Sequence, residues 1–139
     1  MLGGVEIPFD KGLLGHSDAD VLLHAFMNAL LGALGKGDIG THFPDSDPKY
    51  RGISSEMLTQ QVLSMMHASG FEIVNGDFTI IAQQPRLAPH FDAIKRRLTK
   101  LAHVDEETLN LKAGTMEHLG PIGEGQGMAA LAVVLLEKS

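Results

Sequence analysis

His16-Ser17-Asp18-Ala19-Asp20-Val21-Leu22-Leu23-His24 opens a stretch that runs through Leu34 and closes with Gly37-Asp38-Ile39-Gly40. Leu23, Phe26, Leu30 and Leu34 recur at helical spacing, which predicts a helix with one buried face. Ser17 or Asp18 is the expected N-cap, since either side chain can accept from the first free amides and an acid suits the positive end of the helix dipole. Gly35 and Gly37 are expected to end the helix. Asp20, His24 and Asn28 lie four residues apart and form a polar stripe along one side of it.

Upstream, Val5-Glu6-Ile7 alternates apolar and polar. It predicts a short strand, half of a hairpin closed by Asp10-Lys11-Gly12. Downstream, residues 41–52 carry Pro44 and Pro48 and predict a loop. A second helix is expected from Ser54 or Ser55, with Leu58, Val62, Met65 and Met66 inward and Gly70 just past its end. Residues 71–74 and 77–83 predict two strands with Asn75-Gly76 between them. Pro89 suits the first turn of a third helix whose apolar stripe is Phe91, Ile94, Leu98 and Leu101, while Lys95, Arg96, Arg97 and Lys100 are either solvated or reach for something anionic. Residues 104–108 predict a helical turn, residues 109–113 a strand, residues 114–127 a Gly-rich loop, and residues 128–136 a final buried strand. The expected fold is α+β: two layers, an antiparallel or mixed sheet with helices on one face.

The chain has 139 residues, suiting one domain, and 44% hydrophobic residues, enough for a substantial core. No apolar run reaches the roughly 18 residues of a membrane span. The start, Met1-Leu2-Gly3-Gly4, has neither the basic nor the apolar region of a signal peptide. There is no cysteine, so disulfides and thiolate ligands are excluded and any metal falls to His and carboxylate, in keeping with a reducing cytoplasm. A net charge of −6 argues against a nucleic-acid partner, because phosphate neutralisation needs a basic face. A phosphorylated ligand would need help from cations and backbone amides.

Four clusters carry chemistry. His24, one turn after Asp20, reads either as a metal ligand or proton carrier or as a partly buried histidine bonded to its neighbours. His16 precedes the helix N-terminus, a place that favours an anion. Asp38-Ile39-Gly40 and Phe43-Pro44-Asp45-Ser46-Asp47 read either as turn formers or as groups that bind sugar hydroxyls or a hydrated metal. In the Gly114–Gly127 segment, Thr115 and Glu117 could serve a phosphate and a divalent cation. This segment leads into a strand and not a helix, so its glycines are not a dinucleotide fingerprint. Ala82-Gln83-Gln84-Pro85-Arg86-Leu87-Ala88 could read a base edge through backbone groups. No Gly-x-Ser-x-Gly, P-loop or Cys/His pair offers a nucleophile.

His-Ser-Asp-x-Asp-x-x-x-His at 16–24, Gly-Asp-Ile-Gly at 37–40 and Phe-Pro-Asp-x-Asp-Pro at 43–48 together resemble the 2-C-methyl-D-erythritol 2,4-cyclodiphosphate synthase family. Thr-Ile-Ile-Ala-Gln-x-Pro-Arg at 79–86, Asn-Leu-Lys-Ala at 110–113 and Thr-x-Glu-x-Leu-Gly at 115–120 follow in the family's order. The resemblance implies a lyase of non-mevalonate isoprenoid biosynthesis. Its substrate is a CDP-linked methylerythritol 2-phosphate whose own phosphate attacks, releasing CMP, so no enzyme nucleophile is needed. It further implies Zn²⁺, a second cation (Mg²⁺ or Mn²⁺), and a homotrimer built around the sheets with active sites between subunits.

By the same resemblance His24 is a zinc ligand and Glu117 binds the second cation. His16 and Thr115 stabilise the transition state, and Ser17 contacts phosphate. Asp38, Ile39, Gly40, Phe43, Pro44, Asp45, Ser46 and Asp47 hold the methylerythritol portion. Ala82, Gln83, Gln84, Pro85, Arg86, Leu87 and Ala88 form the cytidine pocket, and Gly114, Thr115, Met116 and Glu117 complete the substrate contacts.

Two departures stand out. The family opens with a strand whose Asp-x-His supplies the other two zinc ligands, and the sequence starts after that point; residues 1–139 are then one such domain without its first strand. His42, His90 and His118 have no spacing that replaces those ligands. In the C-terminal loop, Pro121 replaces an aromatic residue and Glu124 replaces a basic one. A lost charge-assisted contact to a diphosphate costs about 1.5–3 kcal/mol. The alternative implied is a weakly active relative that binds cytidine nucleotide or isoprenoid diphosphate.

Overall fold

The computed structural model describes residues 1–7, 20–83, 86–125 and 127–139. Among these, five helices and three strands follow in the order α1 (Val21–Ala33), α2 (Ile39–His42), α3 (Ser55–Ala68), β1 (Phe71–Ala82), α4 (Phe91–Ala102), β2 (Leu109–Gly114), α5 (Gly120–Gly123) and β3 (Met128–Lys138). Short 3-10 turns occupy Pro48–Tyr50, Ala88–His90 and Glu106–Thr108. The sheet is mixed, with β1 in the centre. It pairs in parallel with β2, from Gly76↔Leu109 to Ile81↔Gly114, and antiparallel with β3, from Phe71↔Lys138 to Ala82↔Met128. The parallel pair needs a crossover, and α4 provides it.

Helix α1 is held against the sheet by its leucine and phenylalanine face. Leu22, Leu23, Phe26, Met27, Leu30 and Leu31 are buried, and the Phe26 ring meets Phe78 of β1 edge-on at 5.3 Å. Val62, Leu63 and Met66 of α3 and Ile94 and Leu98 of α4 complete the core with Ile80 and Leu109. Ser54 caps α3 by accepting from Met57 N, and the Glu56 carboxylate of α3 pairs with the Arg97 guanidinium of α4. Arg97 thus stays exposed while reaching an anionic partner, and its guanidinium is held more firmly protonated by that carboxylate.

Several sequence expectations give way here. Helix α1 starts at Val21 with Asp20 as its cap, not at Ser17 or Asp18, which lie outside the described residues. Asp20 wins the position because it is fully buried and its carboxylate serves three amides: Gly3 N at 2.9 Å, Gly4 N at 2.8 Å and Leu23 N at 3.0 Å. The strand expected at residues 5–7 is, in its described part, only a bridge between Leu2 and Val5. Gly3 and Gly4 turn the chain there at φ 58° and 79° and aim their amides at Asp20 instead of a strand. Asp10-Lys11-Gly12 lies outside the described residues.

Asn75-Gly76 is not a turn. It sits within one continuous strand, β1, which carries a bulge between Ile73 and Asn75. Ile73 is buried, Val74 and Asn75 are exposed, and burial resumes at Gly76, Phe78, Ile80 and Ala82. The extra residue shifts the alternation by one, which in sequence looks like two separate strands. The 41–52 region likewise begins inside a one-turn helix capped by Asp38.

The last strand is not buried on both sides. Ala130, Ala132, Val134 and Leu136 pack toward the core, while Leu131, Val133 and Leu135 are 60%, 71% and 55% exposed. The helices cover one face of the sheet, and β3 leaves an apolar stripe on the other.

Candidate active site

The polar stripe of α1 divides its duties. Asp20 is saturated by backbone amides, as above. Asn28 Oδ1 accepts from Ile39 N at 2.9 Å, which fastens α2 to α1. Between them His24 points its Nε2 at the Ser55 hydroxyl of α3, 3.3 Å away. Ser55 is buried, so the hydroxyl is a fixed neighbour and not a solvent-facing one.

His24, Ile39, Gly40, Phe43, Pro44, Asp45 and Leu58 line a cleft of about 460 Å³. Of the residues expected to hold the methylerythritol portion, Ile39, Gly40, Phe43, Pro44 and Asp45 line this cleft with His24, whereas Asp38, Ser46 and Asp47 are not among its lining residues. Asp38 shapes the wall: its Oδ1 accepts from Thr41 N at 2.9 Å and from the Thr41 hydroxyl at 3.0 Å. The Thr41 backbone amide, then its hydroxyl, holds the Asp38 carboxyl below the usual carboxylate range. Asp47 accepts from Lys49 N and starts the 3-10 turn. The Phe43 ring meets Tyr50 at 5.2 Å, packing the two ends of this loop together.

A second cavity, of about 190 Å³, lies at the end of the sheet where β1 and β2 run side by side. Ala82, Gln83, Arg86, Leu87 and Ala88 line one side, and Ala113, Gly114 and Thr115 the other. The parallel pairing of β1 with β2 is the reason two segments some thirty residues apart share one wall. Beyond Thr115 the chain turns sharply. Glu117 N donates to Thr115 Oγ1 at 3.2 Å, and His118 N donates to Gln83 Oε1 at 3.1 Å. Met116 and Glu117 are exposed beside this turn.

The described residues divide part of the predicted set between these two cavities, which share no lining residue; Asp38, Ser46, Asp47, Met116 and Glu117 line neither. His16, Ser17, Gln84 and Pro85 lie outside the described residues. A third cleft of about 410 Å³, between α3 and α4, holds none of the predicted residues. Sequence reasoning missed Ser55, which looked like a helix start only, and Leu58, which looked like core; the four-residue step of an α-helix puts Leu58 one turn after Ser54. It also missed Ala113 as a lining residue, because only the parallel register reveals it.

As a cation site the two places differ. Among the described residues no three His, Asp or Glu groups converge. Asp20, adjacent to His24 on the helix, has its oxygens committed to three amides. The His42 ring is 2.7 Å from the Lys36 carbonyl and the His118 ring lies against Gln83, so neither joins His24. The described residues therefore do not complete a zinc set. Glu117 is different: it is a single exposed carboxylate beside the Thr115 turn, and no two further His, Asp or Glu groups converge on it among the described residues.

A sequence profile of the YgbB family matches residues 1–137. The chain belongs to the YgbB family, that of the 2-C-methyl-D-erythritol 2,4-cyclodiphosphate synthases. The enzyme of that name from Geotalea uraniireducens is 51% identical over 99% of this chain and 88% of its own length. A synthase of this family solved with CDP bound is 36% identical, with a TM-score of 0.89 over 99% of this chain and 89% of its own. The bifunctional IspDF protein of Campylobacter jejuni superposes with a TM-score of 0.93 at 40% identity; this YgbB chain covers 38% of that longer protein. The mixed three-stranded sheet with helices on one face is thus the fold of the family. No helix among the described residues is long and apolar enough to cross a membrane.

Proposed function

We propose that this chain converts 4-CDP-2-C-methyl-D-erythritol 2-phosphate to 2-C-methyl-D-erythritol 2,4-cyclodiphosphate and CMP. The observation that carries this reading is the wall that Ala82, Gln83, Arg86, Leu87 and Ala88 share with Ala113, Gly114 and Thr115, in a fold whose relative was solved with CDP. In the reaction an oxygen of the substrate's 2-phosphate forms a bond to the β-phosphorus. The bond from that phosphorus to the CMP oxygen breaks, and CMP leaves with the electron pair. Nucleophile and leaving group both belong to the substrate. The protein has to align them and offset charge, which is where most catalysis of phosphoryl transfer lies.

In this reading Asp38–Gly40 and Phe43–Asp47 seat the methylerythritol portion in the larger cleft. Ala82–Ala88, including Gln84 and Pro85, hold the cytidine portion. His16 and Thr115 stabilise the five-coordinate phosphorus, and Ser17 contacts phosphate. Gly114 to Glu117 border the diphosphate, where a cation bound at Glu117 would neutralise charge. His24 contributes one zinc ligand. The described residues bring no two further His, Asp or Glu groups to it. Residues 1–139 act as one domain in a cytoplasmic homotrimer, with each active site between subunits. The apolar stripe of Leu131, Val133 and Leu135 supports that assembly, because so large an exposed apolar patch on a sheet marks an interface.

A second reading, a relative that binds cytidine nucleotide or isoprenoid diphosphate with little turnover, is favoured by Glu124. This acid is exposed at the end of α5, beside Gly120 and Pro121. Incubation with the CDP-linked substrate and Mg²⁺, followed by chromatography for CMP, separates the two. CMP release supports the synthase; CDP binding without CMP release supports the second reading.

A further inference from the structure

Gln83 follows the last residue of β1, and both ends of its side-chain amide are committed to one residue, His118. Its Oε1 accepts from the His118 backbone N–H at 3.1 Å, and its Nε2 lies 3.4 Å from Nε2 of the His118 ring. The residue it holds is in an unusual place. Glu117 and His118 are consecutive non-glycine residues with φ of 53° and 63°, a region that side chains disfavour.

Leu119 N donates to Met116 O at 2.9 Å and closes the tight turn around them. Two successive positive φ values give it the mirror-image form that glycine and asparagine normally occupy. Two more contacts pin it. Glu117 N reaches Thr115 Oγ1, and Gly123 packs so closely that a Cβ there would lie 2.4 Å from the His118 carbonyl carbon. A turn built from the wrong residues for its shape persists only when its surroundings over-determine it. Gln83 is the one of these supports that comes from the opposite wall of the cavity.

We infer that Gln83 is a positioning residue: its amide fixes the Glu117–His118 turn, and so ties the order of the cation- and phosphate-facing turn to the loop that seats the nucleotide. This rests on the functional reading above. It differs from the role implied by the resemblance, in which residue 83 simply contacts substrate. An amide already spent on His118 acts on the reaction through Thr115 and Glu117. A base or ribose seated against residues 82–88 would steady Gln83, and through it the turn that carries Glu117.

The test separates this inference from the functional reading. Hydrogen exchange of the ligand-free protein is followed by mass spectrometry on peptides covering residues 115–123, for wild type, Gln83→Leu and Gln83→Glu. Gln83→Leu is isosteric in its stem and should speed exchange in this peptide about five-fold, the equivalent of one net hydrogen bond. Gln83→Glu keeps an acceptor for His118 N–H and should stay within about two-fold of wild type. Peptides of α1 and β3 serve as the control for folding. Unchanged exchange at 115–123 in Gln83→Leu overturns the inference, whether or not the protein releases CMP. In the active protein, Gln83→Leu should lower kcat for CMP release by a clearly larger factor than it weakens cytidine binding. A parallel loss of both would mean that Gln83 is a plain substrate contact, and would also overturn it.

Discussion

Replacing Asp20 by Ala should be the most damaging single change near the site, although it removes no group assigned to substrate. The carboxylate is fully buried and serves three backbone amides at 2.8 to 3.0 Å. Loss of the N-cap bond to Leu23 costs about 1 kcal/mol. The Gly3 and Gly4 amides lose their acceptor in a buried and a part-buried setting, at about 1–3 kcal/mol each. The expected loss is therefore about 3–7 kcal/mol, a large share of the 5–15 kcal/mol typical of a domain. Asp20→Asn keeps one acceptor oxygen and turns an NH₂ group toward an amide, so about half that loss is expected. Urea unfolding followed by circular dichroism, at one fixed protein concentration, measures both. An Asp20→Ala variant within about 1 kcal/mol of wild type would refute the claim that this side chain ties the Gly3-Gly4 turn to α1.

Changing His24 to Ala should abolish any bound zinc while leaving the far-UV spectrum unchanged; unchanged zinc content by atomic absorption would remove His24 from the metal assignment. Asp77 is held below the usual carboxylate range by the Lys112 ammonium at 2.7 Å and then by the Asn110 amide. A lowered pKa in the folded state means that its contribution is fully present above the unfolded value near 3.9 and fades as pH falls through the lower folded value. Amide protection along the β1–β2 pair should therefore decline below about pH 4, and Asp77→Asn should flatten that decline. Val133, at 71% exposure, lies in the middle of the apolar stripe of β3. Val133→Glu should shift the sedimentation coefficient from that of the proposed trimer toward monomer with little change in far-UV spectrum; an unshifted value would place any assembly surface elsewhere.

The elements that were legible in the sequence are those whose signal is local. The leucine and phenylalanine stripe of α1, the Ser54 cap of α3 and the Pro89 start of the third helix each state themselves within one or two turns. The clusters at 38–47 and 82–88 stood out as turn-rich, but turn formers serve any loop, and only the resemblance gave them a part in substrate binding. What escaped depends on partners distant in sequence. Asp20 displaced Ser17 and Asp18 as the cap because Gly3 and Gly4 bring it two further amides. Ala113 joined the smaller cavity through the parallel register of β1 with β2. The outer face of β3 looked buried because leucine and valine fill both faces of the strand, and only the one-sided placement of the helices shows which face is open.

The bulge in β1 gives this strand one residue of slack. Val74 is the residue that β3 leaves unpaired, between Ile73↔Leu136 and Asn75↔Leu135. Removing it would set Ile73, Gly76, Phe78, Ile80 and Ala82 two residues apart in turn, all still on the core face. Related chains that lose a residue within β1 should therefore lose it at 73–75, where a deletion removes a kink and leaves the core lining intact.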